Sequence, residues 1–249
     1  MIRLEHVSKR FGRHTVFKDL SLGFRRGETT VVLGASGVGK SVLLKLILGL
    51  LEPTRGRIFV DGSEITHLSE RQLVPVRKRF GMVFQGAALF DFMTVYENVA
   101  FGLKEHTDLP EGDVRRIVKQ KLALVDMDGT QNLLPEQLSG GMRKRVGLAR
   151  AIAMEPEVIL YDEPTTGLDP VTADTINDLI LRCQRELRTT GIMVTHDMAS
   201  AFKVGDRLVL LYEGEAIADG RPDEIRRHPD VRVQRFITGN ASLTAAPKT

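Results

Sequence analysis

The sequence predicts an α/β fold built on a mainly parallel sheet. Three features predict it. Short, continuously apolar runs recur at Thr30-Val31-Val32-Leu33, Val158-Ile159-Leu160-Tyr161 and Ile192-Met193-Val194-Thr195, as in strands covered on both faces. Stretches of helical period separate them, and strands alternating with helices imply parallel pairing. The N-terminal residues alternate instead with a period of 2, the mark of half-buried strands.

In chain order, Ile2 and Leu4, then Leu20, Leu22 and Phe24, carry that alternation. Arg26-Gly27 turns the chain into the run at 30–33. A Gly-rich loop follows, and Val42-Leu43-Leu44-Lys45-Leu46-Ile47-Leu48 reads as a mostly buried helix. Pro53 and Gly56 end that region, and Arg57-Ile58-Phe59-Val60 before Asp61-Gly62 reads as a strand and tight turn. From about Thr94 to Met154 the pattern is helical. Thr94-Val95-Tyr96-Glu97 has the form of a capping box, and Val114, Ile117, Val118, Lys121, Leu122 and Val125 fall near helical spacing. Pro135 and Gly140-Gly141 punctuate it. After the strand at 158–161, residues 173–187 form an amphipathic helix. The strand at 192–195 and Leu208-Val209-Leu210-Leu211-Tyr212 follow, with Glu213-Gly214 turning into Ala216-Ile217-Ala218. Residues 239–249 are small and polar and read as a frayed end.

Composition narrows the classes. A chain of 249 residues with a net charge of +3 is long enough to bury a core without staples. Its single cysteine, Cys183, excludes a disulfide scaffold and a cysteine-rich zinc site. The most apolar stretch, residues 42–51, is interrupted by Lys45 and Gly49 and falls far short of the ~20 residues of a membrane-spanning helix. The N-terminus lacks a secretory signal core, so a cytosolic location is expected. The basic runs Arg77-Lys78-Arg79 and Arg143-Lys144-Arg145 read as solvated faces, and no nucleic-acid partner is expected.

Gly34-Ala35-Ser36-Gly37-Val38-Gly39-Lys40-Ser41 fits Gly-x-x-x-x-Gly-Lys-Ser, the phosphate-loop pattern of nucleotide binders. Glycines let backbone N–H groups turn inward toward phosphate oxygens, and the following helix offers its positive N-terminus. Lys40 reaches the β- and γ-phosphates, and the Ser41 hydroxyl is a Mg²⁺ ligand. Downstream, Asp162-Glu163 ends the strand at 158–161. Asp162 suits a Mg²⁺ contact, and Glu163 suits acceptance of a proton from an attacking water.

Leu138-Ser139-Gly140-Gly141-Met142 opens a further helix. Ser139 offers a hydroxyl, and Gly140 and Gly141 expose N–H groups at a helix N-terminus, again an anion-binding arrangement. Here the sequence resembles the ATP-binding cassette (ABC) family, whose signature is Leu-Ser-Gly-Gly-x. Further motifs stand in family order. Phe11 lies where an aromatic stacks on adenine, with Val16 beside it in the nucleotide-contacting set. Gln85, after Gly81-Met82-Val83-Phe84, looks like the Q-loop glutamine and a further Mg²⁺ ligand. Gly167-Leu168-Asp169 resembles the D-loop, and His196 looks like the H-loop histidine.

The resemblance covers nearly the whole chain. It implies a P-loop NTPase (RecA-like) core with an N-terminal antiparallel β subdomain and an inserted α-helical subdomain. Residues 1–90 and 155–225 would form the ATP-binding core with the β subdomain, 91–154 the helical subdomain with the signature, and 226–249 a C-terminal tail. It implies ATP and Mg²⁺ as cofactors and a head-to-tail dimer, in which Lys40 and Ser41 of one copy face Ser139, Gly140 and Gly141 of the other. Glu163 would be the general base, His196 would contact the γ-phosphate, Gln85 would report to a membrane partner, and Asp169 would cross the dimer interface. A motor of this kind works on an integral membrane permease, as a peripheral subunit on the cytoplasmic face of the inner membrane. Met142 in the signature, the segment Gln85-Gly86-Ala87-Ala88-Leu89-Phe90 and the stretch Glu105-His106-Thr107-Asp108-Leu109-Pro110 are similar to the Mla-type phospholipid transport ATPases. Those work with an MCE-domain lipid-binding protein and a STAS-domain subunit. Val231, Val233, Phe236 and Ile237 of the tail would pack on a neighbouring ATPase or cover their own subunit. The alternatives are the ATPase of a small-solute importer, a soluble non-transport ABC ATPase and a P-loop kinase. The last needs neither the signature nor Gln85 nor His196.

Overall fold

A computed structural model describes residues 1–240, and the end of the tail, from residue 241, lies outside the described residues. The chain divides into two compact units. The first comprises residues 1–68 together with the chain from Met193 onward, and the second comprises Ser69–Ile192.

The first unit opens with β1 (Ile2–Phe11) and β2 (His14–Phe24), an antiparallel pair. With β4 (Arg55–Val60) and β5 (Ser63–Glu64) they form a sheet in the order β2-β1-β4-β5. The alternation in the sequence is the burial pattern: Ile2, Leu4, Leu20, Leu22 and Phe24 are all buried. The turn after β4 places Asp61 and Gly62 at φ 46° and 81°, two consecutive left-handed residues, as a two-residue hairpin loop requires.

The same unit holds β3 (Thr29–Leu33), buried at every position. It also holds α1 (Lys40–Ile47), α7 (Met198–Val204), β9 (Arg207–Tyr212), β10 (Glu215–Gly220), α8 (Pro222–Arg226) and α9 (Val231–Thr238). β3 pairs with β9 in parallel, and β10 closes the edge antiparallel to β9. The amide of Thr29 donates to Asp206 Oδ2 at 2.8 Å, while the Asp206 amide donates to the Thr29 carbonyl at 2.9 Å. That reciprocal pair fixes where β3 begins. In α9, Val233 is buried.

The second unit contains α2 (Glu70–Arg77), β6 (Phe80–Val83), α3 (Val95–His106), α4 (Glu111–Leu124), a 3₁₀ turn at Pro135–Gln137, α5 (Gly140–Ile152), β7 (Val158–Asp162) and α6 (Pro170–Leu187). β6 and β7 pair in parallel. The division between the units falls inside β8 (Thr190–Thr195). The parallel sheet and the antiparallel N-terminal sheet are those the sequence predicts. α6 starts three residues before the helical period becomes visible, because Asp169 caps it and Pro170 takes its first position.

Helices α3, α4 and α5 pack on one another, with Val95, Val99 and Leu103 of α3, Val114, Val118 and Leu122 of α4, and Val146, Ala149 and Ile152 of α5 buried. Burial of each larger aliphatic side chain stabilises by about 1.5–3 kcal/mol. The capping box at α3 forms: the Glu97 amide donates to Thr94 Oγ1 at 3.2 Å, and the Thr94 amide donates to Glu97 Oε2 at 2.8 Å. Lys121 lies on the apolar stripe of α4 and is buried, its Nζ donating to Glu155 Oε1 at 2.8 Å.

Glu111, at the start of α4, accepts from Tyr96 Oη of α3 at 2.7 Å and faces Lys104 at 3.2 Å. The Tyr96 bond first, then Lys104, hold its carboxyl down at about 2, and the Tyr96 hydroxyl is raised to about 12, chiefly by burial and then by Glu111. A carboxyl depressed on folding stabilises fully above its unfolded value, and that stability fades as pH falls toward the folded value. The α3–α4 contact is therefore expected to weaken between pH 4.5 and about 2. A carboxyl-carbon NMR titration should place Glu111 near 2 and move it up in Tyr96→Phe; a Glu111 midpoint in the ordinary carboxylate range would contradict this.

Candidate active site

The phosphate loop belongs to the first unit. β3 delivers Gly34 buried, and the loop then turns, Val38 N donating to the Ala35 carbonyl at 3.3 Å. Gly37 and Gly39 sit at φ 81° and 107°. A Cβ on Gly39 would lie 2.4 Å from Val16 Cγ1 and 3.0 Å from Phe17 Cζ, and one on Gly34 would lie 2.9 Å from the Leu211 carbonyl oxygen. Glycine is therefore demanded here by β2 and β9 as well as by the turn. Val16, 8% exposed, packs under the loop.

Helix α1 starts at Lys40 with no side-chain cap, so its positive end is presented by backbone alone. Lys40 is buried, and its Nζ donates to the carbonyls of Gly34 at 2.8 Å and Ala35 at 3.1 Å. Those two bonds hold the ammonium over the loop. Ala35, Ser36 and Ser41 are exposed. Phe11 closes β1 and is 46% exposed, and Lys9 Nζ lies 4.9 Å from its ring centroid. His196 follows β8 and is exposed; beside it the Asp197 amide donates to Thr195 Oγ1 at 3.0 Å, and the Asp197 carboxylate caps α7.

The second unit carries the remaining candidates. Asp162 ends β7, half-buried. Glu163 is 7% exposed, has a left-handed φ of 48°, and accepts from Thr166 Oγ1 at 3.2 Å. A left-handed non-glycine residue is sparsely populated and persists only where its surroundings fix it. Gln85 is exposed, two residues beyond β6. Its carbonyl accepts from Lys144 Nζ, while the Arg150 guanidinium donates to the carbonyls of Ala87 at 2.7 Å and Ala88 at 2.6 Å.

Ser139 caps α5, its Oγ accepting from the Met142 amide at 3.2 Å, and Gly140 and Gly141 are the first two helical residues. A Cβ on Gly141 would lie 2.7 Å from Thr172 Cγ2, so the start of α6 packs against the signature. Asp169 caps α6: Oδ1 accepts from the amides of Val171 at 3.1 Å and Thr172 at 3.0 Å, and Oδ2 accepts from Thr172 Oγ1 at 2.5 Å. The Thr172 hydroxyl and amide hold its carboxyl below the usual range.

The solvated-face reading of Arg143-Lys144-Arg145 is corrected here. Lys144 is 7% exposed, and burial lowers its ammonium pKa, with the charge of Glu163 opposing that shift. Arg143 donates to the Leu138 carbonyl at 2.7 Å. Within the other basic run, Arg79 pairs with Glu157 at 2.7 Å. Neither Lys144 nor Arg150 stands out locally, because charged residues crowd this helix. The available signal was periodic: Lys144 shares its face with the buried Leu148 and Ala151.

The ABC transporter family model matches residues 17–166. The chain belongs to the ABC transporter family. This ABC ATPase is 41% identical over 241 residues, 97% of its length and 91% of the relative's, to the "Intermembrane phospholipid transport system ATP-binding protein MlaF" of Haemophilus influenzae. It is 40% identical over 238 residues, 96% of its length and 66% of the relative's, to the "Probable ribonucleotide transport ATP-binding protein mkl" of Mycobacterium tuberculosis. A dimeric ATP-binding cassette solved in a post-hydrolysis state with ADP and Pi superposes with a TM-score of 0.82 at 32% identity, over 89% of this chain and 99% of that one. The protein is thus an ATP-binding, ATP-hydrolysing transport subunit on a cassette fold.

Replacing Gly39 by alanine should destabilise the first unit by at least about 2 kcal/mol, through overpacking against Val16 and the left-handed φ. Denaturant melts and ATP-binding titrations should both register the loss; unchanged stability would mean that the loop does not depend on this close approach.

Proposed function

We propose that this ABC ATPase is the motor of a membrane lipid transporter, acting as a peripheral subunit on the cytoplasmic face of the inner membrane and as a pair of copies. The observation that carries the reading is the near full-length similarity to a phospholipid transport ATPase. Among the described residues no helix is long and apolar enough to cross a membrane, so the permease would be a separate subunit.

In this reading ATP lies between the phosphate loop of one copy and the signature of the other. Phe11 stacks on adenine, Val16 supports the loop beneath the nucleotide, and the amides of residues 34–41 wrap the phosphates. Lys40, already held over the loop by two carbonyls, exchanges them for phosphate oxygens. Ser139, Gly140 and Gly141 of the second copy close the site with one hydroxyl and helix N-terminal amides, and Asp169 stiffens the adjoining α6 start at the dimer interface. Glu163 accepts the proton of the attacking water at its carboxylate, Gln85 orients that water, and His196 contacts the γ-phosphate. Catalysis is then positioning plus charge stabilisation.

The donor set suits Mg²⁺. Ser41, Asp162 and Gln85 offer hard oxygens, and among the described residues no three His, Cys, Asp or Glu side chains gather into a cage. Nucleotide-bound Mg²⁺ is held by one or two protein groups together with phosphates and water. When bound it would neutralise phosphate charge.

Phe84, beside Gln85, is 42% exposed, and Phe92 and Phe101, grouped about Phe90, are 78% and 37% exposed. Apolar rings left in water next to the Q-loop favour a partner that covers them, here the permease. An MCE-domain lipid-binding protein and a STAS-domain subunit complete the assembly. The second reading, a small-solute importer ATPase, is favoured by the nucleotide named for the mycobacterial relative.

Glu163→Gln should bind ATP, elute as a dimer in its presence and hydrolyse at least about 100-fold more slowly; wild-type turnover would remove Glu163 from the base role. Purification of the intact membrane complex should yield a permease, an MCE-domain protein and bound phospholipid. A solute receptor with no lipid would decide for the importer instead.

A further inference from the structure

The loop that leaves β6 is held by helix α5. Lys144 Nζ donates to the Gln85 carbonyl, and the Arg150 guanidinium spans the carbonyls of Ala87 and Ala88. The backbones approach closely: a Cβ on Gly147 would lie 3.4 Å from both Ala87 Cβ and its carbonyl oxygen. Ala87 and Ala88 both adopt left-handed backbone, at φ 61° and 49°, a conformation disfavoured for alanine that its surroundings must impose. The start of the same helix is the signature, and its buried Lys144 also feels the charge of Glu163. One side chain thus links α5 to the Gln85 backbone.

We propose that Lys144 is a positioning residue for ATP hydrolysis, fixing the Gln85 backbone to the signature helix. It touches no substrate in this role. A charge-assisted bond to a carbonyl in a buried setting is stronger than a neutral one, and losing it frees the loop to relax toward right-handed backbone. The inference rests on the reading of Gln85 and Glu163 as hydrolytic groups. Lys121 supplies an internal contrast, since it is equally buried but paired with Glu155.

The test compares K144M, K144R and K121M in the full chain, by steady-state ATP hydrolysis and by hydrogen exchange of amides 86–89. K144M should lower kcat by about tenfold or more while KM stays within about twofold, and should speed exchange at 86–89 by about tenfold. K144R should restore both. K121M should lower the melting temperature and leave kcat and the loop exchange within about twofold of wild type. Unchanged exchange and kcat in K144M, equal impairment of K144M and K144R, or a matching kcat loss in K121M would overturn the proposal. If K144M does not fold, K144Q is compared with K144R on the same criteria. Failure of the underlying reading is separate: it appears as wild-type hydrolysis by Glu163→Gln, whatever the loop exchange shows.

Discussion

A helix N-terminus whose first amides carry no side-chain cap keeps them for an anion such as phosphate. In the first unit that condition is met by close approach: Gly39 sits against Val16 and Phe17, and Gly34 sits against the Leu211 carbonyl. β3 enters this crowding fully buried, so the loop inherits a rigid base. The same contacts that forbid a Cβ leave α1 without a side-chain cap and keep its positive end for an anion. The Lys40 ammonium is then held at the loop by two of the loop's own carbonyls.

The second unit solves a different problem, that of holding short polar segments still. β7 ends in Asp162, a left-handed Glu163 follows it, and the next helix is fixed by Asp169, whose two carboxylate oxygens are both engaged in its first turn. Helix α5 is the organiser. It packs on α3, α4 and α6, lies so close to β6 that a Cβ on Gly81 would meet the Ala151 carbonyl at 2.3 Å, and sends two cations to the loop after that strand. A buried lysine and a partly buried arginine are stable there because loop carbonyls replace the water they lose.

Much of this was legible in the chain. The buried strands announce themselves as β-branched runs, and the capping box at Thr94 and Glu97 forms as its spacing predicts. The phosphate loop was readable because glycine has few other reasons to recur at that spacing before a lysine. Four short helices, α2, α7, α8 and α9, were not readable, since each buries only one to three residues and so shows little apolar period, whereas α1, as short, buries five. Lys144 looked solvated because a lysine reads the same whether its stem crosses a surface or a core.

The sequence by itself determined the alternation of strands and helices, the phosphate loop and the acid pair where β7 ends. Those depend on local patterning and on residue types with few substitutes. Only the tertiary structure decided which backbone carbonyls face Lys144 and Arg150, why Gly34 and Gly39 tolerate no side chain, and that Asp169 caps its own helix. These are contacts between segments distant in the chain, or choices between equally good partners. Packing settles them, because a buried charge or a crowded glycine has meaning only once its neighbours are in place.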